Sequence, residues 1–292
     1  MHSILVYHTI SAPPEALPGG IDISRQRFAR QLQWLSRWRR VARLDETLAP
    51  ASDRLVAITF DDGYRDNLTV ALPLLEKFRL PMTLFVAPGF VGSEGYLSKE
   101  ELRQISKHPL VTIGAHGLWH RHFTRLSIRE ARLELIESRR WLESVTGGSV
   151  DFMAWPYGEC NTTLEELSKQ CGYRAAWSVC QGANTMHSRW RVPLGRRDNL
   201  IRFIAKVSGA YFPTKFIERK LALLRNGDRS WDSADTSTPA RMAPQPTWHP
   251  NRDARLGTPL CSVGESALLG RGPRLAALKE AATTCRTPEP FL

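Results

Sequence analysis

Two short clusters in this 292-residue chain carry the residue types that hydrolytic chemistry needs. The first, Thr59-Phe60-Asp61-Asp62-Gly63, puts two adjacent carboxylates and a glycine at the end of an apolar run. Neighbouring negative charges are costly to hold together, so the pair points to a metal or a shared proton between them. Asp-Asp-Gly also makes a good surface turn, and alone it decides nothing. The second cluster is His116-Gly117-Leu118-Trp119-His120, with His122 two residues on. Imidazoles four residues apart can face one ion from a helical turn or a tight loop, a common ligand spacing. The bland alternative is a core His116 with solvated His120 and His122.

One carboxylate with two imidazoles leaves a coordination position open for water, the pattern of a catalytic rather than a structural zinc site. Such an ion brings the pKa of its water toward about 7 and polarises a carbonyl oxygen. The remaining carboxylate is then free to act as a base.

The elements that must position these groups alternate regularly. Ile4 to Tyr7, Leu55 to Phe60, Met82 to Ala87, Leu110 to Ala115, Phe152 to Trp155 and Arg174 to Val179 read as strands, with helical patterns between them. Ser24 is placed to cap a helix that gathers Phe28, Leu32 and Leu35 on one face, and a second helix runs from about Asn67 to Phe78. Ser98 with Glu101 and Ser127 with Glu130 form capping boxes, the latter opening a helix that ends near Gly147. Thr162 with Glu165 is expected to cap a helix reaching about Cys171. Six strand–helix alternations predict a parallel α/β sheet, and the closed barrel is preferred to the doubly wound form. In such a barrel, functional groups lie just past the C-terminal ends of the strands. Asp61 and Asp62 follow the second strand, His116 the fourth, Trp155-Pro156-Tyr157-Gly158 the fifth and His8 the first. Chance turns would fall at both ends of the barrel, not on one rim.

Composition narrows the partners. A net charge of +11 admits an acidic partner, but the arginines are scattered and form no basic block, so nucleic-acid binding is not expected. Five cysteines without a C-x-x-C pair indicate neither a disulfide framework nor a zinc ribbon. No run approaches the roughly 20 apolar residues of a membrane span, and the N-terminus lacks the pattern of a signal peptide. The expectation is therefore a cytoplasmic protein with no membrane span, for which peripheral association stays open, as does oligomeric state. Residues 226–292, rich in Pro, Gly, Ser, Thr and Arg without a sustained period, are expected to form a poorly ordered tail behind a domain of residues 1–225.

Thr59 to Gly63, the H-x-x-x-H after a strand ending Ile113-Gly114-Ala115, and Trp155-Pro156-Tyr157-Gly158 together resemble the first three motifs of the polysaccharide deacetylase family, the NodB-homology or carbohydrate esterase family 4 group. The resemblance covers about residues 3–225. The Tyr7-His8 pair after the first strand is similar to the poly-N-acetylglucosamine deacetylase-like subgroup. This likeness implies a distorted (β/α) barrel of the NodB-homology type and a metal-dependent hydrolase that removes N-acetyl groups from an N-acetylated glycan, polysaccharide or lipid-linked. By the same likeness, Asp61 is the catalytic base, Asp62, His116 and His120 hold a divalent metal, and His8 is the acid that protonates the leaving amine. Zn²⁺ is the first choice of metal, with Co²⁺ or Ni²⁺ as alternatives. The main-chain N–H of Tyr157 would help hold the oxyanion, Pro156 would shape its loop, and Trp119, Trp155 and Tyr157 are candidates to stack on sugar. The third motif usually begins with an Arg that orients the base, and none stands there; Arg196 or Arg197 is the candidate replacement. That gap, with the unusual tail, keeps a catalytically weakened glycan-binding homologue in play, and the same site could also serve an amidase or esterase on a non-glycan substrate.

Overall fold

All six strands read from the apolar runs form in the computed structural model, which describes residues 2–10, 20–49, 54–179 and 183–210. They are β1 (Ser3–Tyr7), β2 (Val56–Phe60), β3 (Met82–Val86), β4 (Val111–Ala115), β5 (Phe152–Ala154) and β6 (Ala175–Ser178). Two short strands, β7 (Arg189–Trp190) and β8 (Val192–Pro193), were not anticipated. Every pairing is parallel, in the order β7-β6-β5-β4-β3-β2-β1-β8. Only Arg191 separates β7 from β8, so one short run of chain pairs with β6 through its first half and with β1 through its second. That run brings the two ends of the sheet together and makes a nearly closed barrel of the expected kind. Residues 226–292 lie outside the described residues, as does the whole of a second unit, Thr247–Leu292; all described residues belong to the first, Met1–Pro246.

Helices cover the barrel: α1 (Arg25–Trp38), α2 (Leu72–Phe78), α3 (Lys99–Ser106), α4 (Ile128–Thr146), α5 (Thr162–Gln170) and α6 (Leu200–Ala205). The side chain of Ser24 accepts from the Arg27 N–H, and both capping boxes close in full. Gly147 ends α4 in the left-handed conformation. Two details depart from expectation. The segment before α2 opens as a wide π turn, Asn67–Ala71, and α5 is capped by Asn161, whose side chain accepts from the Leu164 N–H, so Thr162 is already the first helical residue. Asn holds the N-cap position at least as well as Thr, and the register moves back by one.

Period-two alternation divides the strands between two apolar clusters. Leu5, Val56, Ile58, Phe60, Leu84, Ile113 and Met153 join helix residues such as Phe28, Leu102 and Leu135 in the outer layer. Ile4, Ala57, Phe85, Phe152, Ala154, Ala175 and Trp177 pack together inside the barrel, with Leu44 and Leu48 beside them. Ala57, Thr59 and Asp61 occupy alternate positions of one strand, so pleat alone turns Asp61 inward. Among the described residues no helix is long and apolar enough to cross a membrane.

The interior is filled to contact. A Cβ on Gly114 would lie 2.4 Å from Phe85 Cδ1 and 3.1 Å from the Phe152 carbonyl oxygen. Gly114→Ala should therefore destabilise the fold by about 1–3 kcal/mol through overpacking, read as a lowered midpoint in urea with an unchanged slope.

Candidate metal centre and active site

Asp61 and Asp62 emerge where β2 ends, and the chain turns sharply between them. Asp62 adopts φ 73°, a left-handed conformation uncommon for a residue with a side chain. The two carboxylates nevertheless both approach His116 Nε2, Asp61 Oδ2 at 3.8 Å and Asp62 Oδ1 at 3.4 Å. Both are buried.

His116 leaves the end of β4, 1% exposed, and its Nδ1 donates to the Ala154 carbonyl oxygen at 2.7 Å. This bond fixes the proton on Nδ1 and leaves the Nε2 lone pair free. Nε2 faces Asp62 Oδ1 at 3.4 Å, and His120 Nε2 lies 3.3 Å from the same oxygen. His120 also takes a left-handed backbone, φ 51°. The loop that allows this turns at Gly117, φ 71°, where a Cβ would meet Phe123 Cε2 at 3.0 Å. Glu134 of α4 fastens the loop: its Oε2 accepts the Leu118 N–H at 2.7 Å and the Trp119 N–H at 2.9 Å.

Charge states follow from burial. Desolvation, which outweighs the attraction of the nearby aspartates, lowers the pKa of His116 and of His120 to about 4, so both rings are neutral at ordinary pH. Burial and the charge of Asp61 push the Asp62 carboxyl upward, against the pull of His8 and His116. His116 and Asp62 therefore do not form an ion pair: an imidazole lone pair faces a carboxylate oxygen, acceptor against acceptor. Asp62 Oδ1 is buried and has no hydrogen-bond donor. A cation would relieve both, and Asp62, His116 and His120 are the one group among the described residues whose donor atoms converge in this way, all within 4.8 Å of one another. The donor set, one carboxylate and two neutral imidazoles, fits a divalent ion with positions left over for water.

Asp61 is held by a different partner from the one expected. Arg191, between β7 and β8 and fully buried, donates from both terminal nitrogens to the two carboxylate oxygens, each at 2.7 Å. Burial by itself would raise the Asp61 pKa, but the Arg191 guanidinium and its hydrogen bonds, with help from His116 and His8, bring it down to about 2. Asp61 stays ionised, and its Oδ2 lies 3.8 Å from His116 Nε2, beside the candidate metal ligands. Arg196 instead grips Asp22, with Nη2 2.7 Å from Oδ1, and Arg197 is not among the groups bonded to Asp61. The expected replacement at 196 or 197 is thus corrected to Arg191, which projects into the barrel from the closing strand. Its signal in the sequence was a charge inside the apolar run Trp190 to Leu194. Glu134 was also missed; it stands as an acid on the buried face of α4, one turn from Ala131.

The remaining candidates divide. Tyr157 is 44% exposed with φ 60°, its ring stacked on His122 at 3.6 Å and 4.6 Å from His120. His122 is held by Glu159 Oε2 at 3.1 Å. Pro156 is buried and opens the turn that carries Tyr157. Trp155 cannot act as a sugar platform: it is 0% exposed, packed edge-on against Phe123, and its Nε1 donates to the His187 carbonyl. Trp119, 36% exposed, lies over Gly89 on the rim. His8 stands near Asp61, Asp62 and His120, and its Nδ1 is buried without a hydrogen-bond partner.

Comparison with known proteins bears on this arrangement. The polysaccharide deacetylase family model matches residues 49–176, a range that holds every metal-ligand candidate, Asp61 and Tyr157. The YxkH protein of Bacillus subtilis (strain 168) is 24% identical over 187 residues, 62% of this chain and 65% of that protein. The poly-beta-1,6-N-acetyl-D-glucosamine N-deacetylase of Staphylococcus aureus (strain N315) is 29% identical over 186 residues, 57% of this chain and 64% of that one. The chain thus spans just under two thirds of the length of these relatives. Among solved structures, the Streptococcus pyogenes deacetylase PplD superposes with a TM-score of 0.64 at 21% identity, covering 70% of this chain and 97% of PplD. IcaB from Ammonifex degensii gives 0.60 at 23%, covering 71% and 97%. The two solved structures share this barrel, and over residues 49–176, which carry most of the rim residues, the chain resembles the polysaccharide deacetylase family.

Proposed function

We propose that this protein is a metal-dependent N-deacetylase that hydrolyses acetamide groups on an N-acetylated glycan. The observation that carries this reading is the buried Asp62 Oδ1, without a hydrogen-bond donor and facing two neutral imidazoles, an arrangement that a bound cation would relieve. The Staphylococcus relative, named for poly-beta-1,6-N-acetyl-D-glucosamine, supports an N-acetylglucosamine polymer as the substrate.

Asp62, His116 and His120 would hold the ion. When bound, a divalent ion such as Zn²⁺, or Co²⁺ or Ni²⁺ in its place, supplies a water of lowered pKa and a Lewis acid for the acetamide oxygen. Asp61, ionised and fixed by Arg191, takes the proton of the attacking water at a carboxylate oxygen. The main-chain N–H of Tyr157, presented by a left-handed turn beside His120, stabilises the negative oxygen as the carbonyl carbon becomes tetrahedral. His8 donates a proton to the nitrogen as the C–N bond breaks. Acetate and a free amino sugar leave. The pairing of Arg191 with Asp61 supplies the charge whose absence from the third motif favoured a weakened homologue, and so weighs against that reading.

Acetate release from a β-1,6-linked N-acetylglucosamine oligomer should stop after chelation and return with Zn²⁺ or Co²⁺. Asp61→Asn should lower kcat by about 10³-fold while metal content, measured by elemental analysis, stays near one ion per chain. Loss of metal with activity retained would mean that the two aspartates have exchanged roles. Arg191→Met leaves a buried carboxylate unpaired and should cost about 3–5 kcal/mol of stability. Arg191→Lys should fold better yet still lose about tenfold or more in kcat, because an ammonium cannot hold both Asp61 oxygens at once.

A further inference from the structure

The longest helix turns an acid toward the barrel. Glu134 shares the buried face of α4 with Ala131, Leu135, Ser138, Leu142 and Val145, and is 3% exposed. A carboxylate so placed is costly unless its oxygens are hydrogen-bonded. Among the described residues both of its bonds come from main chain, from the consecutive Leu118 and Trp119 N–H groups onto the single oxygen Oε2. Successive amides converging in this way make a concavity that holds an anion. The acid therefore acts on the path of the chain between His116 and His120, and on no side chain there.

The two histidines are steadied unequally. A metal-binding imidazole is usually oriented by a hydrogen bond at its other ring nitrogen, and loss of that partner costs about 10–100-fold in metal affinity. His116 has such a partner in the Ala154 carbonyl. The other nitrogen of His120 has none from another residue among the described residues; the backbone group that acts on its ring is its own. His120 keeps its place beside Asp62 only if the loop holds it there, in a left-handed conformation that must be imposed from outside. The Leu118 peptide groups are fixed at both ends: the carbonyl accepts the Gly89 N–H at 2.8 Å, and the N–H ends on Glu134. A Cβ on Gly89 would lie 2.3 Å from Trp119 Cε3, and one on Gly117 3.5 Å from Glu134 Oε2, so both glycines let the loop seat against its neighbours.

We propose that Glu134 is the positioning residue for His120: by holding the Leu118 and Trp119 amides it sets the affinity and the geometry with which Asp62, His116 and His120 take up a divalent ion. The orienting bond that His116 receives at its ring is supplied to His120 through its backbone. This proposal rests on the metal-centre reading of those three residues and is independent of the substrate.

Co²⁺ serves as the probe, because its visible absorption reports the geometry of its ligands. The full chain, stripped of metal, would be titrated with Co²⁺ against a competing chelator in the unaltered form and as Glu134→Gln, Glu134→Asp, Glu134→Met and Leu142→Ala. Glu134→Gln keeps an acceptor oxygen at the same reach and should lose no more than about threefold in affinity, with an unchanged spectrum. Glu134→Asp keeps the charge but falls a methylene short, and Glu134→Met keeps the length without an acceptor; both should lose about 10–100-fold and give an altered spectrum. Leu142→Ala weakens α4 by a buried cavity on the same face and should leave affinity and spectrum as they were. Affinities and spectra that do not differ between Glu134→Asp, Glu134→Gln and the unaltered chain overturn the role of Glu134, as does an equal loss in Leu142→Ala. The Gln and Asp variants decide the matter even where Glu134→Met does not fold. A chain that takes up no Co²⁺ in any form sinks the metal-centre reading and this proposal with it. The expected order of affinities without acetate release by the unaltered protein would sink the deacetylase reading alone.

Discussion

The salt bridge between Asp61 and Arg191 is the contact on which the rest of the molecule turns. It joins the end of β2 to the residue that separates β7 from β8, and that residue lies where the closing run changes partner from β6 to β1. Arg191 also donates to Thr59 Oγ1 at 3.2 Å and sits over the Phe85 ring, 5.4 Å from its centroid. Barrel closure and orientation of the proposed base are thus one interaction. It is not a cheap one, since both side chains are almost wholly out of water and Arg191 Nε is buried without a partner. A well-packed apolar pair would hold the strands at least as well. Retention of charge at the centre of the barrel fits the role proposed for Asp61, an oriented carboxylate beside the candidate metal ligands.

A second cost lies in the backbone. Of the five described non-glycine residues with positive φ, Asp62, His120 and Tyr157 stand at the centre or against it. Strain of this kind persists only where the surroundings over-determine it. Here the restraints can be named: the Ala154 carbonyl on His116, Glu134 on the Leu118 and Trp119 amides, and the His122–Glu159 pair under the Tyr157 ring. Each comes from an element other than the one it steadies. The site is therefore a property of the assembled barrel, and none of its loops would hold this shape alone.

Much of this was legible in the residues. Apolar runs located all six main strands to within a residue or so, because a strand buried on both faces must be apolar throughout. Asp61, Asp62, His116 and His120 could be read because chemistry demanded those types where strands end. What escaped depended on distance in the chain. Arg191 is 130 residues from Asp61, and no local pattern joins them. β7 and β8 are too short to carry a period, and each is defined only by the neighbour it meets. Trp155 misled for a related reason: its place at the end of β5 suggested the rim, but strand alternation sets it on the outer face, where Phe123 and the His187 carbonyl bury it.

The proposed acid and base are tied together by the same logic. His8 follows β1, and its carbonyl oxygen accepts from the Asn67 side chain at 2.8 Å, while Asp66 takes the Thr9 hydroxyl and the Ile10 N–H. Asn67, fully buried, begins the wide π turn that interrupts the path from Asp61 into α2. Turns of this kind recur at functional sites because they re-aim a few side chains without ending the helix. Here one such turn links the segment that bears the base to the segment that bears His8. The contacts of Asn67 with the His8 carbonyl and of Asp66 with Thr9 and Ile10 thus tie the loop that bears the proposed base to the loop that bears the proposed acid.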